Sequence, residues 1–309
     1  MGTVVYVKGS NSDPLSNEDV LVIFQIFHDV DASMSEWRAH SPLSKVNAAA
    51  GDHPVQVPSD VYVAVERAIE VSELTSGAFD PTWAALWKLW DFHPVTIRAP
   101  SVPTKNELDA LLPLVNWEDV QMDEELQTIF LPEDGMALGL GGIAKGVALD
   151  LARDELRYRG VDNYMIVAGG QVLVGGTNED LPWRVGIRNP VGAMDEYVAV
   201  LRVTDTCVST SGDYEKYFEV DGTRYHHIID PRTGYPASGT RSVTVVTPDA
   251  TLADALSTAL FVMGPDHAIQ LVDNLPNVEA VIIDSDGQMH FSSDILSRFV
   301  QSPQSIFDE

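Results

Sequence analysis

The sequence predicts an α+β (mixed α/β) fold of two lobes, with mixed sheets flanked by helices. Three observations carry that expectation. Segments of helical periodicity and segments of strand-like alternation follow one another without strict alternation, which disfavours a doubly wound parallel sheet. The 309 residues are 45% hydrophobic, enough to build a substantial core. No repeat, low-complexity run or linker divides the chain, so residues 1–309 read as one domain with lobes of about 1–115 and 116–309.

Taken in order, residues 2–8 alternate as a strand, and residues 17 to about 33 place apolar side chains at helical spacing. A second helix is expected from about Ser59, just after Pro58, to Ser76. Val61, Val65, Ala68, Ile69 and Leu74 form its apolar face, and Gly77 is placed to stop it. Trp83, Trp87 and Trp90 follow at helical spacing as a stripe that reads as core. A proline-opened connection and a short helix fill 99–119, which puts the lobe boundary at about 95–120. GLGGIAKG then leads into a helix over 144–159, ended by Gly160. Strands are expected at 164–168, 172–175, 183–187, 198–203, 217–220 and 242–246. Two helices, about 250–263 and 266–274, precede a last strand at 279–283.

Charge narrows the range of partners. With 46 acidic against 19 basic side chains the formal net charge is -27, so the chain offers no basic face for nucleic acid and is repelled by an anionic membrane. Any anionic ligand must be held by local devices: backbone N–H groups, a few chosen cations, or a metal. No apolar run approaches the roughly 20 residues that span a bilayer, so no transmembrane segment is expected. The opening MGTVVYVKG lacks the features of a secretory signal. Cys207 is the single cysteine, which excludes an internal disulfide.

Several constellations bear on chemistry. Gly139, Gly141, Gly142 and Gly146 surround Lys145 at the start of a helix. Backbone N–H groups, the helix terminus and the ammonium there suit a phosphate, and the same residues suit a tight strand-to-helix turn. A P-loop is excluded because Ala144 and Gly146 flank Lys145, and the looser dinucleotide pattern lacks its acidic residue after the next strand. In DATLADALSTALFVMG, Asp254 and Thr258 are four residues apart and share one helix face. They either serve a hard cation together, or Asp254 bonds neighbouring backbone and Thr258 the carbonyl one turn back.

HHIIDPRTG runs from His226 to Gly234 as a strand end entering a turn. The two histidines point to opposite faces, so they do not share a metal; either one acts as a base or both are structural, while Asp230 organises the turn and pairs with Arg232. SGDYE and AFDPT read as polar turns, with Phe79 placed to lie against a ring and Asp80 to bond a polar edge. No G-x-S-x-G, CxxC or HExxH is present, which disfavours Ser or Cys nucleophiles and zinc chemistry.

These segments, collinear over nearly the whole chain, resemble the ApbE family of FAD:protein FMN transferases, or flavin transferases. The resemblance is carried by MGT at Met1, SPLSKVN at Ser41, SGAFDPT at Ser76, LGGIAKG at Leu140 and AGG at Ala168. WRVGIRNP at Trp183, STSGDYEKYF at Ser209, HHIIDPRTG and LADALSTALFVMG continue it. It implies an ApbE-like two-lobed fold with an FAD site between the lobes. It also implies Mg²⁺-dependent transfer of FMN from FAD, the substrate, to a Thr hydroxyl of an acceptor flavoprotein of the redox-complex type, with release of AMP.

On the same resemblance Asp254, Thr258 and the carbonyl of Gly142 hold Mg²⁺, which reverses the order of the two readings of Asp254. Flavin contacts fall on Met1, Trp37, Ala78, Phe79, Asp80, Lys145, His227 and Ile228. Lys145, His227 and Asp254 are the catalytic candidates: Lys145 against phosphate charge, His227 or Asp254 as base. Two positions depart from the family pattern. Trp37 stands where Tyr is usual, keeping a stacking face without a phenol, and Gly139 stands where the Gly-rich segment usually begins with Asp. The family location is the periplasm or cell envelope, with a cytoplasmic place as the alternative. An FAD pyrophosphatase and an FAD-storage protein are the competing functions.

Overall fold

The structure is a computed structural model describing residues 2–10, 14–90, 92, 101–193 and 195–300. From the N-terminus these form β1 (Val5–Gly9), α1 (Asn17–Met34), α2 (Pro42–Ala48), β2 (Val55–Gln56), α3 (Ser59–Leu74), α4 (Lys105–Leu111), β3 (Gln121–Asp123) and β4 (Thr128–Phe130). There follow α5 (Ala144–Tyr158), β5 (Tyr164–Ala168), β6 (Gln171–Gly175), β7 (Trp183–Arg188), β8 (Tyr197–Val203) and β9 (Thr206–Gly212). The rest comprises β10 (Tyr217–Val220), β11 (Thr223–His226), β12 (Thr240–Thr247), α6 (Ala250–Met263), α7 (Pro265–Val272), β13 (Glu279–Asp284) and β14 (Met289–Phe291). The α+β expectation holds. Every strand pairing among the described residues is antiparallel, so the mixture is of helices with strands and not of strand directions. No helix among the described residues is long and apolar enough to cross a membrane.

Contacts divide the chain into two compact units. One gathers the chain up to Asp29, Lys145–Gly212 and the chain from Ser238; the other gathers Val30–Ala144 and Asp213–Ala237. This replaces the lobe boundary expected at about 95–120. The physical reason is long-range pairing: β1 joins β5 in one sheet, and the β10–β11 hairpin brings Phe218 and Tyr225 against Trp90.

The first unit is built on a seven-stranded open sheet ordered β1-β5-β6-β9-β12-β13-β14. Register aligns Val172, Val208 and Val246 across three strands on one face. There the separate β7–β8 hairpin contributes Trp183, Val185, Ile187 and Leu201 to a buried apolar layer. The opposite face carries Ser209 and Ser211, whose hydroxyls reach Ser257 of α6. Strand β9 was missed in the sequence because Ser209, Thr210 and Ser211, whose hydroxyls bond Ser257 of α6 and Thr244 of β12, interrupt the apolar alternation. The two-residue loop between β5 and β6 needs glycine at its first position, where Gly169 has φ +63°.

The second unit combines α2, α3 and α4 with the small sheet β2-β4-β3 and the β10–β11 hairpin. A capping box at Thr104 and Glu107 starts α4. Of the tryptophan stripe only Trp83 lies in a helical turn, a 3₁₀ turn over Pro81–Leu86 whose tight entry is set by Asp80 accepting from the backbone and hydroxyl of Thr82; Trp87 caps it and Trp90 lies beyond. Trp90 is the core residue of the three: it is buried among Phe92, Phe218, Tyr225 and Tyr235. Its indole Nε1–H donates to the Gly234 carbonyl at 2.7 Å. Trp90→Phe leaves that carbonyl without its buried partner, and urea unfolding should show a loss of about 1–3 kcal/mol with an unchanged m-value. A midpoint equal to that of the wild type would contradict this account of the core.

Candidate functional site

Helix α6 is apolar around nearly its whole circumference, and Asp254 is 3% exposed within it. A carboxylate so placed is costly unless it is bonded. Its Oδ2 accepts from the Gly146 N–H at 3.1 Å and its Oδ1 lies 3.2 Å from Lys145 Nζ. Both partners sit in the first turn of α5, where helix N–H groups lack acceptors of their own. Glycine at 146 is what lets the helices meet: a Cβ there would lie 2.6 Å from Thr251 Cα and closer still to the Ala250 carbonyl oxygen. Asp254 therefore bonds backbone, as one of the two sequence readings had it, but the backbone of a helix 108 residues away.

Around it stands a group of hydroxyls. Ser257 donates to the Asp254 carbonyl at 2.8 Å, and Ser211 Oγ lies 2.8 Å from Ser257 Oγ and 3.4 Å from Thr258 Oγ1. Thr258 thus faces β9, and it is Ser257 that turns back along the helix. The sequence reads Ser211 as the start of the polar turn SGDYE and gives Ser257 no role, but Ser211 lies in β9; the signal was the position of Ser257 beside Asp254. Cys207 is fully buried and its thiol is pushed well above the usual range by burial, so it is no nucleophile.

The remaining candidates lie in the second unit, except Met1, which falls outside the described residues. Trp37 is half exposed and meets Trp87 edge-on, with ring centroids 3.5 Å apart. Ala78 and Phe79 are buried, and the Phe79 N–H donates to Thr75 Oγ1. Asp80 accepts from Thr82 through one oxygen and from the Trp117 N–H through the other. Burial holds its carboxyl above the usual carboxylate range while those bonds pull the other way. Gly139 donates its N–H to Pro81, and a Cβ there would meet Ala84 Cβ at 3.0 Å and Trp83 Nε1 at 3.4 Å. An Asp side chain would need those neighbours to give way by a few tenths of an ångström. Gly142 lies two residues ahead of α5.

In the HHIIDPRTG segment Asp230 accepts a bidentate pair of bonds from Arg232, each of 2.8 Å, and its carbonyl takes the N–H groups of Thr233 and Gly234, as the turn reading expects. His226 is buried, with Nε2 3.0 Å from the Ala237 carbonyl and Nδ1 accepting from the Ile228 N–H. His227 is half-buried, and its Nδ1 lies 3.2 Å from the Lys216 carbonyl. A carbonyl only accepts, so this contact fixes the Nδ1–H tautomer. Ile228 is buried beside them and its carbonyl accepts from the Ala237 N–H.

Comparison with known proteins gives the family. Residues 1–282 match the model of the ApbE family. The chain belongs to that family. A relative from Treponema pallidum, a FAD:protein FMN transferase, is 34% identical over 96% of this chain and 86% of its own. One of the same name from Vibrio cholerae is 33% identical over 97% and 90%. The solved structure of the flavin transferase ApbE from Vibrio cholerae covers 96% of both chains with a TM-score of 0.85 and 31% identity. Membership of the ApbE family makes this chain a transferase.

The two histidines of this ApbE-family chain divide into different roles by burial. Burial lowers the His226 pKa from 6.5 to about 4, so the folded chain keeps it neutral where the unfolded chain protonates it. Its contribution is complete above pH 6.5 and is lost as pH falls towards about 4, a change of about 3 kcal/mol at most. His226→Gln removes the titration. Urea unfolding at neutral and mildly acid pH should show the wild type losing more stability on acidification than the variant, and parallel losses would contradict the assignment.

Proposed function

We propose that this chain transfers FMN from FAD to a Thr hydroxyl of an acceptor flavoprotein, forming a phosphoester-linked FMN and releasing AMP. The observation that carries the reading is the buried Asp254 carboxylate, held between the Gly146 N–H and Lys145 Nζ at the start of α5. The relatives' names, which specify FMN transfer from FAD to protein, support it. In bond terms the Thr oxygen attacks the phosphorus on the FMN side of the pyrophosphate, the bond to the AMP oxygen breaks, and the Thr proton is taken up by a base.

Mg²⁺ suits the residues present. The donors at hand are oxygens, a carboxylate and the Thr258 hydroxyl, which are hard ligands. Among the described residues no group of three His, Cys, Asp or Glu side chains stands ready to enclose a metal. That sparse set fits an ion that keeps most of its coordination for water and phosphate oxygens. Asp254 and Thr258 would hold it, and when bound it would neutralise charge growing on the phosphates.

The chain's own residues do the rest. Lys145 brings a full positive charge to a helix start whose N–H groups already favour anions, a local device that an acidic chain needs. His227, with Nδ1 against the Lys216 carbonyl, and Asp254 are the candidates to take the Thr proton. In the second unit, Trp37 offers a partly exposed aromatic face for the flavin. The family resemblance also supports work in the cell envelope.

The test is incubation with FAD, Mg²⁺ and an acceptor flavoprotein domain, read by in-gel flavin fluorescence and by free FMN. Covalent fluorescence supports transfer; free FMN alone marks a pyrophosphatase, and bound FAD with neither product marks a storage protein. Asp254→Asn keeps an acceptor for Gly146 but loses the charge, and should lower Mg²⁺-dependent transfer by about a hundredfold or more with circular dichroism unchanged. Wild-type rates in that variant would sink the metal assignment.

A further inference from the structure

The first turn of α6 presents N–H groups without helical acceptors, and carboxylates take three of them. Asp249, the N-cap, accepts from Leu252 at 2.8 Å. The other two go to a residue of a different helix: Asp150 of α5 accepts from Ala250 at 3.0 Å, from Thr251 at 2.8 Å, and from the Thr251 hydroxyl at 2.6 Å. Arg153 braces Asp150 at 2.5 Å and reaches the Pro248 carbonyl at 3.0 Å, gripping the segment just ahead of α6.

Asp254 returns the same service to α5 through Gly146. Each helix start is therefore held by a carboxylate of the other helix. Gly146 and Asp150 are four residues apart on α5, and Ala250 and Asp254 are four apart on α6. A slide of one helix along the other by a single residue, about 1.5 Å, breaks both ends of this ladder at once.

We propose that Asp150 is a positioning residue for the transfer reaction: it fixes the height of α6 on α5 and so places Asp254 and Thr258 for the hard cation. This rests on the function proposed above. Asp150 acts through the first turn of α6, whose N–H groups it holds. Replacing it by Asn turns one of its two acceptor atoms into a donor facing an N–H or the Arg153 guanidinium.

The test uses the full chain with Mn²⁺ as probe, free Mn²⁺ being read by electron paramagnetic resonance with and without FAD, beside the Mg²⁺ dependence of transfer. Asp150→Asn should weaken Mn²⁺ binding and raise the half-saturating Mg²⁺ about tenfold, while kcat at saturating Mg²⁺ stays within about threefold of wild type. Trp90→Phe, destabilised in the other unit, should keep wild-type Mn²⁺ affinity. Asp150→Asn binding Mn²⁺ within about twofold of wild type, or Trp90→Phe weakening it equally, overturns the proposal.

If Asp150→Asn does not fold, Thr251→Val removes the hydroxyl bond alone and should shift Mn²⁺ affinity the same way by about threefold; no shift overturns the proposal. A wild type that transfers no FMN, with Mn²⁺ affinity still falling in Asp150→Asn, rejects the proposed reaction and supports the positioning role. A wild type that binds no Mn²⁺ overturns the positioning role itself.

Discussion

The arrangement of the first unit turns on one place where two helices touch through backbone. Gly146 lies so near the Ala250 carbonyl and Thr251 Cα that no side chain fits between them. At that separation a carboxylate of each helix reaches the N–H groups that open the other, Asp254 to Gly146 and Asp150 to Ala250 and Thr251. A carboxylate at a helix start is favoured by the helix dipole as well as by the bonds, so the two contacts reinforce each other. The buried charge of Asp254 is tolerable only within this frame.

On the proposed function, the same frame answers how a chain of net charge -27 deals with an anionic substrate. Its long-range field repels phosphates, and attraction must come from groups within a few ångströms. Lys145, at the positive end of α5, is proposed to be such a group. The carboxylate that fixes Lys145 is also the one proposed to hold the metal, so one residue orders both positive charges.

Much of the fold was legible in the sequence because helices and apolar strands announce themselves by period: α3, α5, α6 and β12 lie where periodicity puts them. Strand β9 was not, since Ser209, Thr210 and Ser211 stand where apolar residues would alternate, their hydroxyls bonded to Thr244 of β12 and Ser257 of α6. The unit boundary was not either, because a hairpin and an N-terminal strand are sorted by contacts distant in sequence. At the site, Asp254, Thr258 and Lys145 stood out as a charge in an apolar helix, its neighbour one turn on, and a cation among glycines. Asp150 did not, although Gly146, Asp150 and Arg153 recur at four and three residues and share one helix face. A small residue, an acid and a base in that order read as an ordinary solvated stripe until the partner helix is known.

The most direct test of this account is Gly146→Ala, with unfolding free energy and Mn²⁺ affinity measured on the same preparation. The added methyl forces α5 and α6 apart, so stability should fall by about 1–3 kcal/mol and Mn²⁺ binding should weaken with it. An alanine variant with wild-type stability and wild-type Mn²⁺ affinity would contradict the claim that this contact sets the site.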